Sequence, residues 1–235
     1  MTRSDGDAVT ADEAAAAPAS RARLALGPQA WLLRGLATPR TPALLSALET
    51  LLDRAPFRHM VTPGGKSMSV AMSNCGELGW TSDRRGYRYS TIDPLSGLPW
   101  PAMPLVLQRL ARDAAAEAGF DGFQPDACLI NRYLPGTRLS LHQDRDEHDF
   151  DQPIVSISLG LPAVFLFGGA TRGERPSRVL LEHGDVVVWG GEDRLRFHGV
   201  MPLKDSGDSL LDPPGTSSHE LMSGRRINLT FRKAG

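Results

Sequence analysis

Ala127-Cys128-Leu129-Ile130-Asn131-Arg132-Tyr133-Leu134 opens a series of short apolar and β-branched segments whose reading decides the fold. Seven more follow at residues 139–143, 154–159, 163–167, 179–182, 186–189, 195–200 and 226–232, separated by stretches rich in turn-forming residues. That spacing predicts antiparallel strands in a double sheet, a jelly roll or barrel. Upstream, Leu44, Leu45, Leu48, Leu51 and Leu52 recur at helical spacing behind Thr41-Pro42, and Val106, Leu107, Leu110 and Ala114 repeat the pattern across 103–118. The expected class is mostly β with two flanking helices, α+β overall, the helices packed outside one sheet.

Between the helices, residues 60–100 are dense in Gly, Ser, Thr, Pro and aromatics, with short strand candidates such as 67–72. From Arg54 to Arg112 there are eight Lys or Arg against three Asp or Glu, a local net of +5, whereas the 235-residue chain as a whole has 26 against 27. The overall balance excludes a polyanion-coating protein, so any nucleic-acid contact is local. Residues 1–20 lack an apolar period and are expected to form a flexible tail. Residues 205–224, rich in Ser, Gly, Asp and Pro, are expected to be a mobile insertion between two strands. The expected organisation is thus a tail (1–20), an N-terminal extension with both helices (21–122) and a core (123–235). Cys75 and Cys128 form no Cys-x-x-Cys pair, which argues against a disulfide framework or thiolate zinc site and for buried free thiols. No apolar run is long enough for a membrane helix, and Asp5, Asp7, Asp12 and Glu13 interrupt any signal-peptide core. The expected location is the cytoplasm, without a membrane partner.

His142-Gln143-Asp144 ends a strand candidate, and strand alternation sends the imidazole and the carboxylate to one face. His198, 54 residues beyond Asp144 on another strand candidate, can supply a third ligand. Two histidines and a carboxylate leave open positions on an octahedral ion, the set associated with non-haem Fe(II) oxygenases, although zinc takes the same ligands. The terminal segment carries Ile227, Leu229 and Phe231 on one face and Arg226, Asn228, Thr230 and Arg232 on the other. The polar face is ordinary solvent-facing surface if the strand lies outermost. If the strand lines an interior instead, two guanidiniums enter a cavity and need anionic partners, which a small dicarboxylate provides. Asn131 and Tyr133, two apart on one strand face, would add donors to that anion.

These residues converge on a family. Asn131-Arg132-Tyr133, His142-Gln143-Asp144, His198-Gly199 and Arg226-x-Asn228-x-Thr230-Phe231-Arg232 together resemble the AlkB family of Fe(II)- and 2-oxoglutarate-dependent dioxygenases. The resemblance extends through Met60-Val61-Thr62-Pro63-Gly64-Gly65, Trp100-Pro101-Ala102-Met103-Pro104, Phe123-Gln124-Pro125-Asp126-Ala127-Cys128 and the segment His183-Gly184-Asp185 to Gly191. It covers the chain from about residue 55 to 234, leaving out the 205–224 insertion, which is the visible departure from the pattern.

The resemblance implies a double-stranded β-helix (jelly-roll) core with an N-terminal nucleotide-recognition lid in the basic 60–100 region. It also implies Fe(II) held by His142, Asp144 and His198, with 2-oxoglutarate and O2 as cosubstrates. Arg226, with Tyr133 and Asn228, would hold the far carboxylate of 2-oxoglutarate, and Arg232 and Asn131 would lie near its metal-chelating end. The implied activity is oxidative demethylation of N-methylated bases such as 1-methyladenine and 3-methylcytosine in alkylated DNA, single strands preferred, with release of formaldehyde, succinate and CO2. The damaged base must leave its stack. Trp80 is then the expected stacking residue, with Tyr87, Arg88, Tyr89, Asp146 and Arg172 as further substrate contacts and the protein a monomer. Two alternatives stand beside this: the same chemistry on RNA or a non-nucleic-acid substrate, and a catalytically silent metal-binding jelly roll. Inward-facing Arg226 and Arg232 argue against the silent module.

Overall fold

A computed structural model of the protein describes residues 22–204 and 219–235. The expected tail at 1–20 and most of the expected insertion, 205–218, lie outside the described residues.

Both helices form where the apolar spacing places them. Helix α1 (Thr41–Arg54) has Pro42 in its first turn, where a missing N–H costs nothing, and buries Leu44, Leu45, Leu48 and Leu51 along one stripe. Helix α2 (Leu105–Glu117) buries Leu107, Leu110, Ala111, Ala114 and Ala115. It stops at Gly119, whose φ of 95° suits a residue without a Cβ; the Gly119 and Phe120 N–H groups bond back to the Ala116 and Ala115 carbonyls.

The strands in chain order are β1 (Arg23–Gly27), β2 (Ala30–Leu33), β3 (Arg58–Val61), β4 (Ser67–Gly76), β5 (Gly79–Asp83), β6 (Gly86–Ser90), β7 (Ala127–Tyr133), β8 (Leu139–His142), β9 (Ile154–Gly160), β10 (Ala163–Phe167), β11 (Ser177–Leu181), β12 (Val186–Trp189), β13 (His198–Val200) and β14 (Arg226–Arg232). Eight of them make one antiparallel sheet, ordered β1-β2-β12-β9-β14-β7-β4-β3, and four make a second, β11-β10-β13-β8. Strands β1 to β4 precede residue 122 yet pair into the same sheet as β7, β9, β12 and β14.

The two faces of the large sheet bury different clusters. Ile227, Leu229 and Phe231 of β14 join the helix stripes, with Cys75, Cys128, Ile130, Ile157 and Val188, in one core. Leu129, Tyr133, Val187 and Trp189 meet Phe165, Phe167, Leu181 and Val200 of the small sheet in another. This is a jelly-roll sandwich with helices outside one sheet. Cys75 and Cys128 stand opposite each other on β4 and β7, buried and free.

Strands β5 and β6 form a separate hairpin in which Trp80 pairs with Tyr89 and Ser82 with Tyr87. Side chains fasten it to the large sheet. The Asn74 amide of β4 brackets the Trp80 backbone, accepting from its N–H and donating to its carbonyl, both at 3.0 Å. Ser82 Oγ donates to the Val61 carbonyl at 2.7 Å. Residues 219–224 form a turn in which Met222 is buried and Leu221 packs on the helix-side core. These apolar side chains have core to cover.

Candidate metal centre and its cavity

His142 and His198 meet in one sheet. They are partners in the β8–β13 register, with ring centroids 4.4 Å apart, rather than facing one another from opposite sheets. Glycine makes this approach possible, since a Cβ on Gly199 would lie 2.7 Å from the Leu139 carbonyl oxygen. The two Nδ1 atoms sit 2.8 Å and 3.0 Å from the Ser140 and Arg196 carbonyl oxygens. Carbonyls only accept, so each Nδ1 carries the proton and each Nε2 presents a lone pair.

Asp144, two residues past the end of β8, turns its carboxylate between them: Oδ1 is 3.6 Å from His142 Nε2 and Oδ2 is 3.7 Å from His198 Nε2. One ligand atom from each of the three residues lies within 4.8 Å of the others. Burial is the largest influence on His198, pulling its pKa down to about 4; His142 adds to this and Asp144 opposes it. Burial pushes Asp144 up, but Arg232, His198 and His142 together hold it well below the usual carboxylate range. The cluster thus offers two imidazole Nε2 atoms and one carboxylate, a donor set that fits a divalent metal such as Fe(II).

The cluster opens into a cavity of about 510 Å³ that runs from the β5–β6 hairpin to Arg226. Its large-sheet wall resolves the two readings of the terminal strand, for β14 is buried along its whole length and Arg226, Asn228, Thr230 and Arg232 face the cavity. In register, Arg226 pairs with Tyr133 and Asn228 with Asn131. Arg226 Nη2 donates to Ser158 Oγ at 2.8 Å, but among the described residues Nε and Nη1 have no partner, nor does Asn131 Oδ1. Burial lowers the Arg226 pKa to about 10, partly offset by Tyr133 and then Asp185, so it remains a cation. Burial raises Tyr133 to about 12, keeping its hydroxyl a donor. A buried guanidinium with two orphaned N–H groups is costly unless an anion meets it, and a carboxylate does so in bidentate fashion. The pocket therefore fits one end of a dicarboxylate such as 2-oxoglutarate. Arg232 is committed to the metal side, with Nε donating to Asp144 Oδ2 at 2.9 Å.

At the mouth, Trp80 and Tyr87 stack with centroids 5.4 Å apart, and the Trp80 indole N–H donates to Asp146 at 2.8 Å. Arg172 also lines the cavity, donating to the Leu141 carbonyl at 2.7 Å beside Phe197. Two expected substrate contacts are elsewhere. Arg88 is held on the hairpin by Asp83 at 2.7 Å, and Tyr89 turns under it, donating to Glu147 at 2.6 Å.

Sequence reasoning missed Glu147, Arg194 and Trp189. Trp189 packs 5.0 Å from His198 in the cavity wall. Glu147 and Arg194 are buried and paired at 3.1 Å, although Glu147 stands in an acidic stretch that reads as solvated. The spacing of three from Asp144 to Glu147 is the one available hint, and a weak one.

The comparisons agree with this geometry. The 2OG-Fe(II) oxygenase superfamily pattern matches residues 29–232. The chain is 55% identical over 206 residues to the alpha-ketoglutarate-dependent dioxygenase AlkB of Escherichia coli strain K12, covering 88% of this chain and 90% of that protein. It is 36% identical to the mouse nucleic acid dioxygenase ALKBH1, over 63% of this chain and 44% of that one. The solved structure of OsALKBH1 superposes with a TM-score of 0.75 at 28% identity, covering 90% of this chain and all of that one. A His-Asp-His cluster beside an arginine with unmet N–H groups, inside a jelly roll that matches this superfamily over most of its length, places the chain in the AlkB family of Fe(II)- and 2-oxoglutarate-dependent dioxygenases.

Proposed function

We propose that this dioxygenase repairs alkylated DNA by oxidative demethylation of N-methylated bases such as 1-methyladenine and 3-methylcytosine, with single strands preferred. His142, Asp144 and His198 would hold Fe(II). Arg226, Tyr133 and Asn228 would hold the far carboxylate of 2-oxoglutarate, with Asn131 and Arg232 near its other end. The observation that carries the reading is the continuity of one cavity from the unmet N–H groups of Arg226, past the three ligand residues, to the Trp80–Tyr87 stack. With iron, 2-oxoglutarate and O2 in place, the cofactor set supplies oxidation of an N-methyl group coupled to decarboxylation of the cosubstrate, giving formaldehyde, succinate and CO2.

The chain's own residues bind, orient and exclude. Arg226 fixes the cosubstrate by its remote end, so its reacting end is placed without strain at the metal. Phe165, Leu181 and Val200 line the interior and keep it dry. Trp80 and Tyr87 offer an aromatic platform for a base that has left its stack, at about 1–3 kcal/mol of stacking per base, and His142 covers the opposite face. Asp146, already an acceptor for Trp80, sits where it favours a cationic base or accepts from an exocyclic amine. Arg172 supplies charge for a phosphate. Arg88 and Tyr89 do not line the cavity, and in the chain without nucleic acid their polar atoms bond Asp83 and Glu147. The protein would act as a cytoplasmic monomer.

The test is joint release of formaldehyde and succinate from oligonucleotides carrying 1-methyladenine or 3-methylcytosine, in single- and double-stranded DNA and in RNA, with Fe(II), 2-oxoglutarate and oxygen. Matched release of both products, faster from single-stranded DNA, is expected. Succinate release without formaldehyde from any nucleic acid would move the substrate to another class.

A further inference from the structure

Five side chains link the hairpin to the metal cluster. The Tyr89 hydroxyl donates to Glu147 Oε1 at 2.6 Å, and Arg194 Nη2 donates to Glu147 Oε2 at 3.1 Å. Arg232 Nε lies 3.3 Å from Glu147 Oε1 and donates to Asp144 Oδ2 at 2.9 Å, and Arg232 Nη2 donates to the same Asp144 oxygen at 2.5 Å. Arg194 also clamps the intervening loop, donating to the Asp144 and Gln152 carbonyls at 3.0 Å each. Glu147, Arg194, Arg232 and Asp144 are all at least nine-tenths buried. Carboxylates at that depth stay charged only when every lone pair has a donor.

The shared atom is Arg232 Nε. Two carboxylates compete for its single N–H, and Glu147 Oε1 already takes the shorter bond from Tyr89. While the Tyr89 hydroxyl is seated, Glu147 needs little from Arg232, and the N–H goes to Asp144. If the hairpin lifts and Tyr89 leaves, Oε1 has one donor within reach among the described residues, and Arg232 Nε is drawn off Asp144. The Asp144 carboxylate then keeps only the Arg232 Nη2 bond, and the two-pronged grip that holds it turned between the two histidines is halved.

We propose that Tyr89, Glu147 and Arg232 couple the seating of the hairpin to the placing of Asp144, with Glu147 as the positioning residue at the centre. The inference rests on the reading of His142, Asp144 and His198 as metal ligands. It makes the hairpin a contributor to metal affinity even when no nucleic acid is bound. Because coupling between two sites is reciprocal, metal loading in turn steadies the hairpin that carries Trp80.

The test is calorimetric titration of Mn(II) into the full chain with 2-oxoglutarate present and oligonucleotide absent. Tyr89→Phe keeps the ring and removes one hydrogen bond, and it should weaken Mn(II) binding about five-fold, within the range expected for one ordinary hydrogen bond, since the Arg232 Nη2 contact to Asp144 remains. Arg88→Gln, on the same strand but, among the described residues, bonded only within the hairpin, should leave the affinity unchanged. Glu147→Gln should weaken binding further, and the double variant should add nothing to it, as for residues in one chain of contacts. Should Glu147→Gln fail to fold, the contrast of Tyr89→Phe with Arg88→Gln decides alone. Mn(II) affinity equal to or tighter than the parent in Tyr89→Phe would overturn the link, as would additive effects in the double variant. No Mn(II) binding by the parent chain would instead remove the metal assignment, and the link with it.

Discussion

The wall of the cavity and its mouth are built differently. Tyr133, Asn131, Arg226 and Asn228 stand on β7 and β14, near the middle of an eight-stranded sheet, and face one another by register. Trp80 and Tyr87 stand on a two-stranded hairpin whose ties to the rest of the chain are mostly side chains, those of Asn74 and Ser82 to the large sheet and that of Tyr89 to the loop after β8. A ladder bonded on both sides cannot shift one residue without turning every side chain to the wrong face. A hairpin held by a few hydrogen bonds can move at modest cost. A rigid wall suits one small cosubstrate bound the same way each time, and a tethered mouth suits a polymer whose base must be admitted and released.

The difference can be attacked from the metal outward. His198→Ala removes a ligand that register fixes opposite His142, and metal binding should fall at least a hundredfold by calorimetry while the fold persists by circular dichroism. Arg226→Ala removes the bidentate partner of the far carboxylate, worth about 1.5–3 kcal/mol, so 2-oxoglutarate binding should weaken roughly ten- to 150-fold. Trp80→Ala should cost about 1–3 kcal/mol of affinity for a methylated oligonucleotide at fixed salt, through lost stacking.

The smallest effect concerns pH. His198 is neutral in the metal-free folded chain down to about pH 4, whereas an unfolded histidine takes a proton near 6.5. As pH falls through that window the unfolded state binds a proton that the folded state refuses, so the stability of metal-free protein should fall. Denaturant titrations at pH 7 and pH 4.5 check this, and His198→Gln should flatten the difference.

The wall was more legible in the sequence than the mouth, for a physical reason. Strict alternation in Arg226–Arg232 and the His-x-Asp spacing are local patterns, and strand geometry converts each into a face. Which face is inward depends on the partner sheet, so the solvent-facing reading of Arg226 and Arg232 stayed open until the fold closed it. Strands β1 and β2 carry no comparable alternation; β2 gains its place by pairing with β12, and β1 by pairing with β2. Glu147 is hidden by composition: of the acids at 144–151, Asp146, Asp149 and Asp151 are not buried, whereas Asp144 and Glu147 are. Only the three-dimensional path of the loop over Arg194 selects them. The same holds for Arg88 and Tyr89, whose charge and aromaticity suited a nucleic acid but whose polar atoms are claimed by Asp83 and Glu147.

The most direct test of the division between wall and mouth is a crossed titration on two variants in the metal-loaded protein. Binding of 2-oxoglutarate and of a 1-methyladenine oligonucleotide would be measured separately on Arg226→Ala and on Trp80→Ala, at one salt concentration. The account predicts that Arg226→Ala loses 2-oxoglutarate affinity and keeps oligonucleotide affinity within about two-fold, and that Trp80→Ala does the reverse. Normal 2-oxoglutarate binding by Arg226→Ala, with oligonucleotide binding lost, would contradict it.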